Sequence, residues 1–200
     1  MGFFTRLLWG RKAEARRAAM RRLAAGEETE MPSPNRPSYL RLIELIAHGE
    51  YVRQEVREAV GRAFDDPKSF FDANGNYKPA ERGLRFPADL PLAPKFVLID
   101  TLAAHGQMAE VDRNEPGEEE IRTAVTEILM AKEIPVRPSR EVGDDPDCDP
   151  GTLLWNIHQS ELEPEGYALV LLDINTDSYV FTVVASEHQA EVTALFAKLV

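Results

Sequence analysis

Two pairs of carboxylates have the residue types and spacing for acid–base or metal chemistry. Glu110 and Asp112 stand two residues apart in QMAEVD, so a strand there sets both on one face, and Asp173 and Asp177 flank the turn of LLDINTDSY. Paired carboxylates hold a divalent cation or divide the roles of acid and base, which makes a metal-assisted hydrolase using Glu110, Asp112, Asp173 and Asp177 one reading of the chain. Carboxylates on an exposed strand face or at a turn more often contact only water.

Other chemistry finds less support. His48, His105, His158 and His188 form no HExxH and no close pair, and Cys148 is the single cysteine, so a multi-thiolate zinc site is excluded. The segment Asp72, Ala73, Asn74, Gly75, Asn76 starts like a calcium loop but places its glycine too early and has Gly83 where a glutamate belongs. Asp144, Asp145, Asp147 and Asp149 crowd Cys148, raising its pKa and suppressing the thiolate; they read as a solvated loop ending in a helix cap. No GxSxG, GxxxxGK[ST] or GxGxxG occurs. The expectation is a protein without catalytic residues, cofactor or metal.

Charge is unevenly placed. Residues 1–25 carry Arg6, Arg11, Lys12, Arg16, Arg17, Arg21 and Arg22 against Glu14 alone, a net +6 in a chain of net −11, so the remaining 175 residues hold −17. An acidic body lacks the basic stripe that phosphate neutralisation requires, which excludes nucleic acid as its partner and favours a basic or mixed-charge protein. The first 26 residues predict a basic amphipathic helix with Phe3, Phe4, Leu7, Leu8 and Trp9 crowded into its first turns. That cluster suits docking on a protein, on an anionic membrane surface or on the acidic body itself. A proline-containing linker, residues 27–36, separates it from a single acidic domain, residues 37–200. With one cysteine and no apolar run of spanning length, the expected compartment is the cytoplasm, with peripheral contact at the inner membrane surface as the alternative.

The domain's elements follow from periodicity. Tyr39, Leu42, Ile43 and Ile46, then Val52, Val56, Ala59, Val60 and Phe64, predict two helices broken at Gly49. Residues 67–95 read as loop carrying a short turn of helix. Lys95 to Gly106 reads as a helix with a glycine stop, Gln107 to Asp112 as a half-buried strand, and Ile121, Ala124, Val125, Ile128 and Leu129 as one stripe of a further helix. Asp149 is placed to cap a helix holding Leu153, Leu154 and Ile157. Tyr167 to Ile174 and Tyr179 to Ala185 predict a hairpin, with Ala168 to Leu172 requiring burial on both faces. Ser186 and Gln189 have capping-box spacing before a last helix. The fold class is α+β: a small antiparallel sheet built on the C-terminal hairpin, with residues 107–112 as third strand, covered by helices.

The order HGQMAEVDRNEPGEEEI, LLWNI and GYALVLLDINTDSYVFTVV resembles an uncharacterised bacterial family of domains of unknown function, over residues 95–200. The resemblance implies no activity. Small acidic bacterial domains of this kind are also similar to immunity proteins that neutralise toxins, an analogy of fold alone. The functional expectation is therefore a non-enzymatic protein-binding domain, either an adaptor or a toxin-neutralising protein.

Overall fold

The computed structural model describes residues 35–72, 77, 79, 83–112, 117–137, 149–174 and 177–199. The predicted N-terminal helix, nearly all of the linker, and Asp144, Asp145, Asp147 and Cys148 lie outside them. Helix α1 (Arg36–Ile46) starts one residue inside the expected linker, with Pro37 in the first turn, where its missing N–H costs nothing. Its stripe of Tyr39, Leu42, Ile43 and Ile46 is buried. Gly49, at φ +82, opens helix α2 (Glu50–Asp65). Residues 67–95 carry two 3-10 turns, Pro67–Phe71 and Leu90–Leu92, where one was expected.

Helix α3 (Ala93–Ala104) is apolar nearly all round, and every residue from Ala93 to Ile99 is buried, which makes it the central helix of the core. It ends in a Schellman closure: Gln107 N–H donates to the Leu102 carbonyl and Gly106 N–H to that of Ala103, both at 2.9 Å. Gly106 meets the requirement for φ +66, and a Cβ there would lie 3.4 Å from that of Ala131.

Strands β1 (Ala109–Asp112), β2 (Tyr167–Leu172) and β3 (Ser178–Ala185) form one antiparallel sheet in the order β1-β3-β2. Helix α4 (Glu118–Ala131) follows β1, and helix α5 (Pro150–Ile157) precedes β2. Asp149 caps α5 as expected, accepting from Thr152 N–H at 3.0 Å. The chain then widens into a π-helical turn, His158–Leu162, and tightens into a 3-10 turn, Glu163–Glu165. Helix α6 (Gln189–Phe196) closes the fold.

Alternation along β2 and β3 divides the apolar side chains between two cores. Ala168, Val170, Leu172, Val180 and Val184 pack with α1, α2, α3 and α6; Leu169, Phe181 and Val183, with Val111 of β1, pack with α4 and α5. The sheet is thus the middle of three layers, and burial on both faces explains why its strands read as continuous apolar runs. Leu171 departs from the expectation, since it emerges 43% exposed on the hairpin's edge strand.

The capping box at Ser186 is not formed. A 3-10 turn, Ser186–His188, intervenes before α6, so His188 occupies the cap without a side-chain bond. Ser186 is tied instead through its backbone N–H to the Gly166 carbonyl, 2.9 Å away, which holds it to the start of β2. Among the described residues no helix is long and apolar enough to cross a membrane.

Candidate functional site

Glu110 and Asp112 are exposed on one face of β1, opposite Val180 and Ser178. Asp173 follows β2 and Asp177 precedes β3; both side chains are exposed. Among the described residues no group of three or more histidines, cysteines, aspartates or glutamates is placed to hold a metal ion, so these four carboxylates are not gathered into one centre. Phe3, Phe4, Leu7, Leu8 and Trp9 lie outside the described residues.

A polar node that periodicity did not single out sits between the layers instead. Lys132, at the C-terminal end of α4, is 5% exposed; its Nζ donates to Thr182 Oγ1 at 2.6 Å and to the Val183 carbonyl at 2.8 Å. Thr182 Oγ1 in turn donates to the Gln107 carbonyl at 2.7 Å. The Gln107 side chain accepts from His48 N–H at 2.7 Å and donates to the His48 carbonyl at 2.8 Å, joining the α1–α2 turn to the entrance of β1. Burial pushes the Lys132 ammonium down to about 7. The sequence did hold a signal: Lys132 continues the stripe of Ile121, Val125 and Ile128 at helical spacing, so a lysine occupies a core position.

The node explains where β1 begins. Ala109 and Phe181 make the last β1–β3 pair, which leaves Val183 beyond the strand's end, and Lys132 supplies the donor that a further β1 residue would have offered. At the sheet's other edge, the Leu169 N–H of β2 donates to His158 Nδ1 at 3.1 Å, so the π-helical turn covers that edge.

An open groove of about 790 Å³ runs along β1. It is lined by Met108, Ala109, Glu110 and Val111 in and beside β1, by Ala103 of α3, and by Glu119, Glu120 and Glu127 of α4. Why these glutamates reach the groove follows from their neighbour. Glu118 turns inward to the Arg122 guanidinium at 2.7 Å, and Arg122 also holds Glu161 at 2.9 Å, whereas Glu119, Glu120 and Glu127 are exposed. Glu110 adds a fourth carboxylate from the strand itself. The arrangement suits a cationic, partly apolar chain segment, since carboxylates and small apolar side chains line the same groove.

Residues 38–199 match the family described as Domain of unknown function (DUF6630). The chain belongs to the DUF6630 family. The match covers every strand and, but for the first two residues of α1, every helix described above, so the DUF6630 domain reaches well upstream of residues 95–200, where the sequence motifs placed the resemblance. No curated protein and no solved structure matches the chain.

Proposed function

We propose that this DUF6630 domain is a non-enzymatic protein-binding module that takes up a basic segment of a partner protein. The observation that carries this reading is the groove between β1 and α4, lined by Glu110, Glu119, Glu120 and Glu127 together with Met108, Ala109 and Val111. The charge of the body supports it, because residues 26–200 sum to −17 and would steer cations toward the molecule at low salt. Adaptor and toxin-neutralising protein are the two finer versions of the same reading, and both need this surface.

Titrating the full chain with a short arginine-rich peptide, followed by calorimetry and by amide shifts in an isotope-labelled sample, tests the proposal. Saturable binding with shifts confined to β1 and the groove-facing residues of α4, Glu119 to Glu127, is expected. Affinity should fall with added salt and by about tenfold in the double variant Glu119→Lys, Glu127→Lys. Shifts spread over the whole acidic surface, with the double variant binding as well as the parent, would refute the assignment to the groove.

A further inference from the structure

We infer that Lys132 is a proton-operated latch on the start of β1, closed while its amine is neutral and released when the amine takes up a proton. The match of donors to acceptors at the node carries the inference. A neutral lysine has two N–H donors, and two acceptors are in place: Thr182 Oγ1 at 2.6 Å and the Val183 carbonyl at 2.8 Å. The Thr182 hydroxyl directs its own proton to the Gln107 carbonyl at 2.7 Å, so toward the lysine its oxygen can only accept. An ammonium brings a third N–H. Among the described residues no further acceptor is bonded to Nζ, and a buried donor without a partner is costly.

The surroundings leave that added charge unpaired. Charged groups on the adjoining segments are His48 of the α1–α2 turn, His105 at the end of α3, Glu110 of β1, and Glu127 and Glu133 of α4; β3 and α5 carry none. Glu133 lies 3.6 Å from His48, and His105 lies 3.1 Å from Glu55. Among the described residues no carboxylate is paired with Lys132. Burial therefore acts on the ammonium unopposed and holds the amine at about 7, against an ordinary 10.5. Release returns the amine to water and to its ordinary proton affinity. Opening thus takes up a proton across the window from about 7 to about 10.5, so falling pH favours it; below about 7 both states are protonated and the dependence stops.

What the latch holds follows from the same chain of bonds. Gln107 is tied at its carbonyl through Thr182 to the lysine, and its side chain clasps both backbone groups of His48. Its N–H closes α3 on the Leu102 carbonyl. The segment freed on release is therefore Gln107 to Ala109, where β1 has only begun: Ala109 is the strand's first residue and pairs with Phe181. The β2–β3 hairpin, paired along the whole of β2, stays shut. Met108 and Ala109 also line the groove beside α4, so the latch keeps part of that surface in place.

Amide exchange in the isotope-labelled full chain, followed from pH about 6 to about 9 and corrected for intrinsic rates, tests the latch. The His48 and Gln107 amides are expected to be less protected than that of Leu172 in the hairpin, the mark of a local opening. Their protection should rise about tenfold per pH unit above about 7.5 and level off below about 7. Lys132→Met keeps His48 and His105 and should hold protection constant across the range. A rise that survives in this variant belongs to those histidines and overturns the inference. Protection equal to that of Leu172 overturns it too, because these amides would then exchange only when the whole domain unfolds. Thr182→Val keeps the lysine but cuts its link to Gln107, so the profile at His48 and Gln107 should flatten there as well. An unchanged rise in Thr182→Val refutes the latch even if Lys132→Met fails to fold.

Discussion

Lys132 Nζ lies 2.6 Å from Thr182 Oγ1, a lysine of the α4 end held against the middle strand β3 with 5% of its surface exposed. Burial sets its folded-state value at about 7, below the ordinary 10.5. Between those values the unfolded chain carries a proton that the folded chain does not. Stability therefore rises with pH across the window from about 7 to about 10.5, by at most about 1.4 kcal/mol per pH unit from this group, and below about 7 the contribution is flat. Lys132→Met has no proton to lose at this site. Urea denaturation of the two proteins from pH about 6 to about 10 should show a stability difference that moves in favour of the parent only above about 7. A parallel course for both proteins through that window would contradict the burial of the ammonium.

His158 acts as an acceptor. Its Nδ1 receives the buried Leu169 N–H at 3.1 Å, so His158→Ala leaves that donor without a partner and should cost about 2 kcal/mol or more. His158→Asn keeps a short side-chain oxygen near the same place and should recover a good part of the loss. Chemical denaturation of the two variants decides it: equal destabilisation would mean that packing, not the acceptor, is what His158 contributes.

Arg122 bridges Glu118 at 2.7 Å and Glu161 at 2.9 Å, and all three side chains are less than one fifth exposed. Arg122→Met strands two carboxylates in a place where water reaches them poorly, at a cost of about 3 kcal/mol. Adding Glu118→Gln and Glu161→Gln removes the stranded charges and should restore most of the stability. A triple variant as unstable as the single one, measured by the same denaturation, would show that the charges are not the cause.

Glu133 is the one described residue other than glycine with positive φ, at +55. It closes α4 as Gly106 closes α3: Ile134 N–H reaches the Leu129 carbonyl at 2.9 Å and Glu133 N–H that of Met130 at 3.1 Å. A side chain in this conformation costs about 1 kcal/mol, and its contact with His48 at 3.6 Å lies on the surface and offsets little. Glu133→Gly is therefore expected to raise the melting temperature, and a fall would show that the His48 contact outweighs the backbone relief.

Much of this architecture was legible because it is written in local patterns. The stripes of α1, α2 and α4 follow from a period of 3.6 residues, and the β2–β3 hairpin from two β-rich runs about a turn apart. Asp149 capped its helix as its position before Pro150 implied, since a cap is a bond between near neighbours. Ser186 shows the limit of the same argument. Its spacing to Gln189 is right for a capping box, yet a backbone bond to Gly166, distant in sequence, keeps it in a 3-10 turn.

What tertiary structure alone decided is which surfaces meet. Periodicity identified Gln107 to Asp112 as a strand but contains no term for its neighbour, and the order β1-β3-β2 is what leaves one edge beside a groove while the π-helical turn covers the other. Leu171 and Lys132 exchange their usual places for the same reason: the leucine falls where no helix covers the sheet, and the lysine where a carbonyl beyond the end of β1 lacked a donor. Residue type expresses an average preference for water or core. Whether a position obeys it is set by the groups that the fold brings within about 3 Å, and those come from segments far away along the chain.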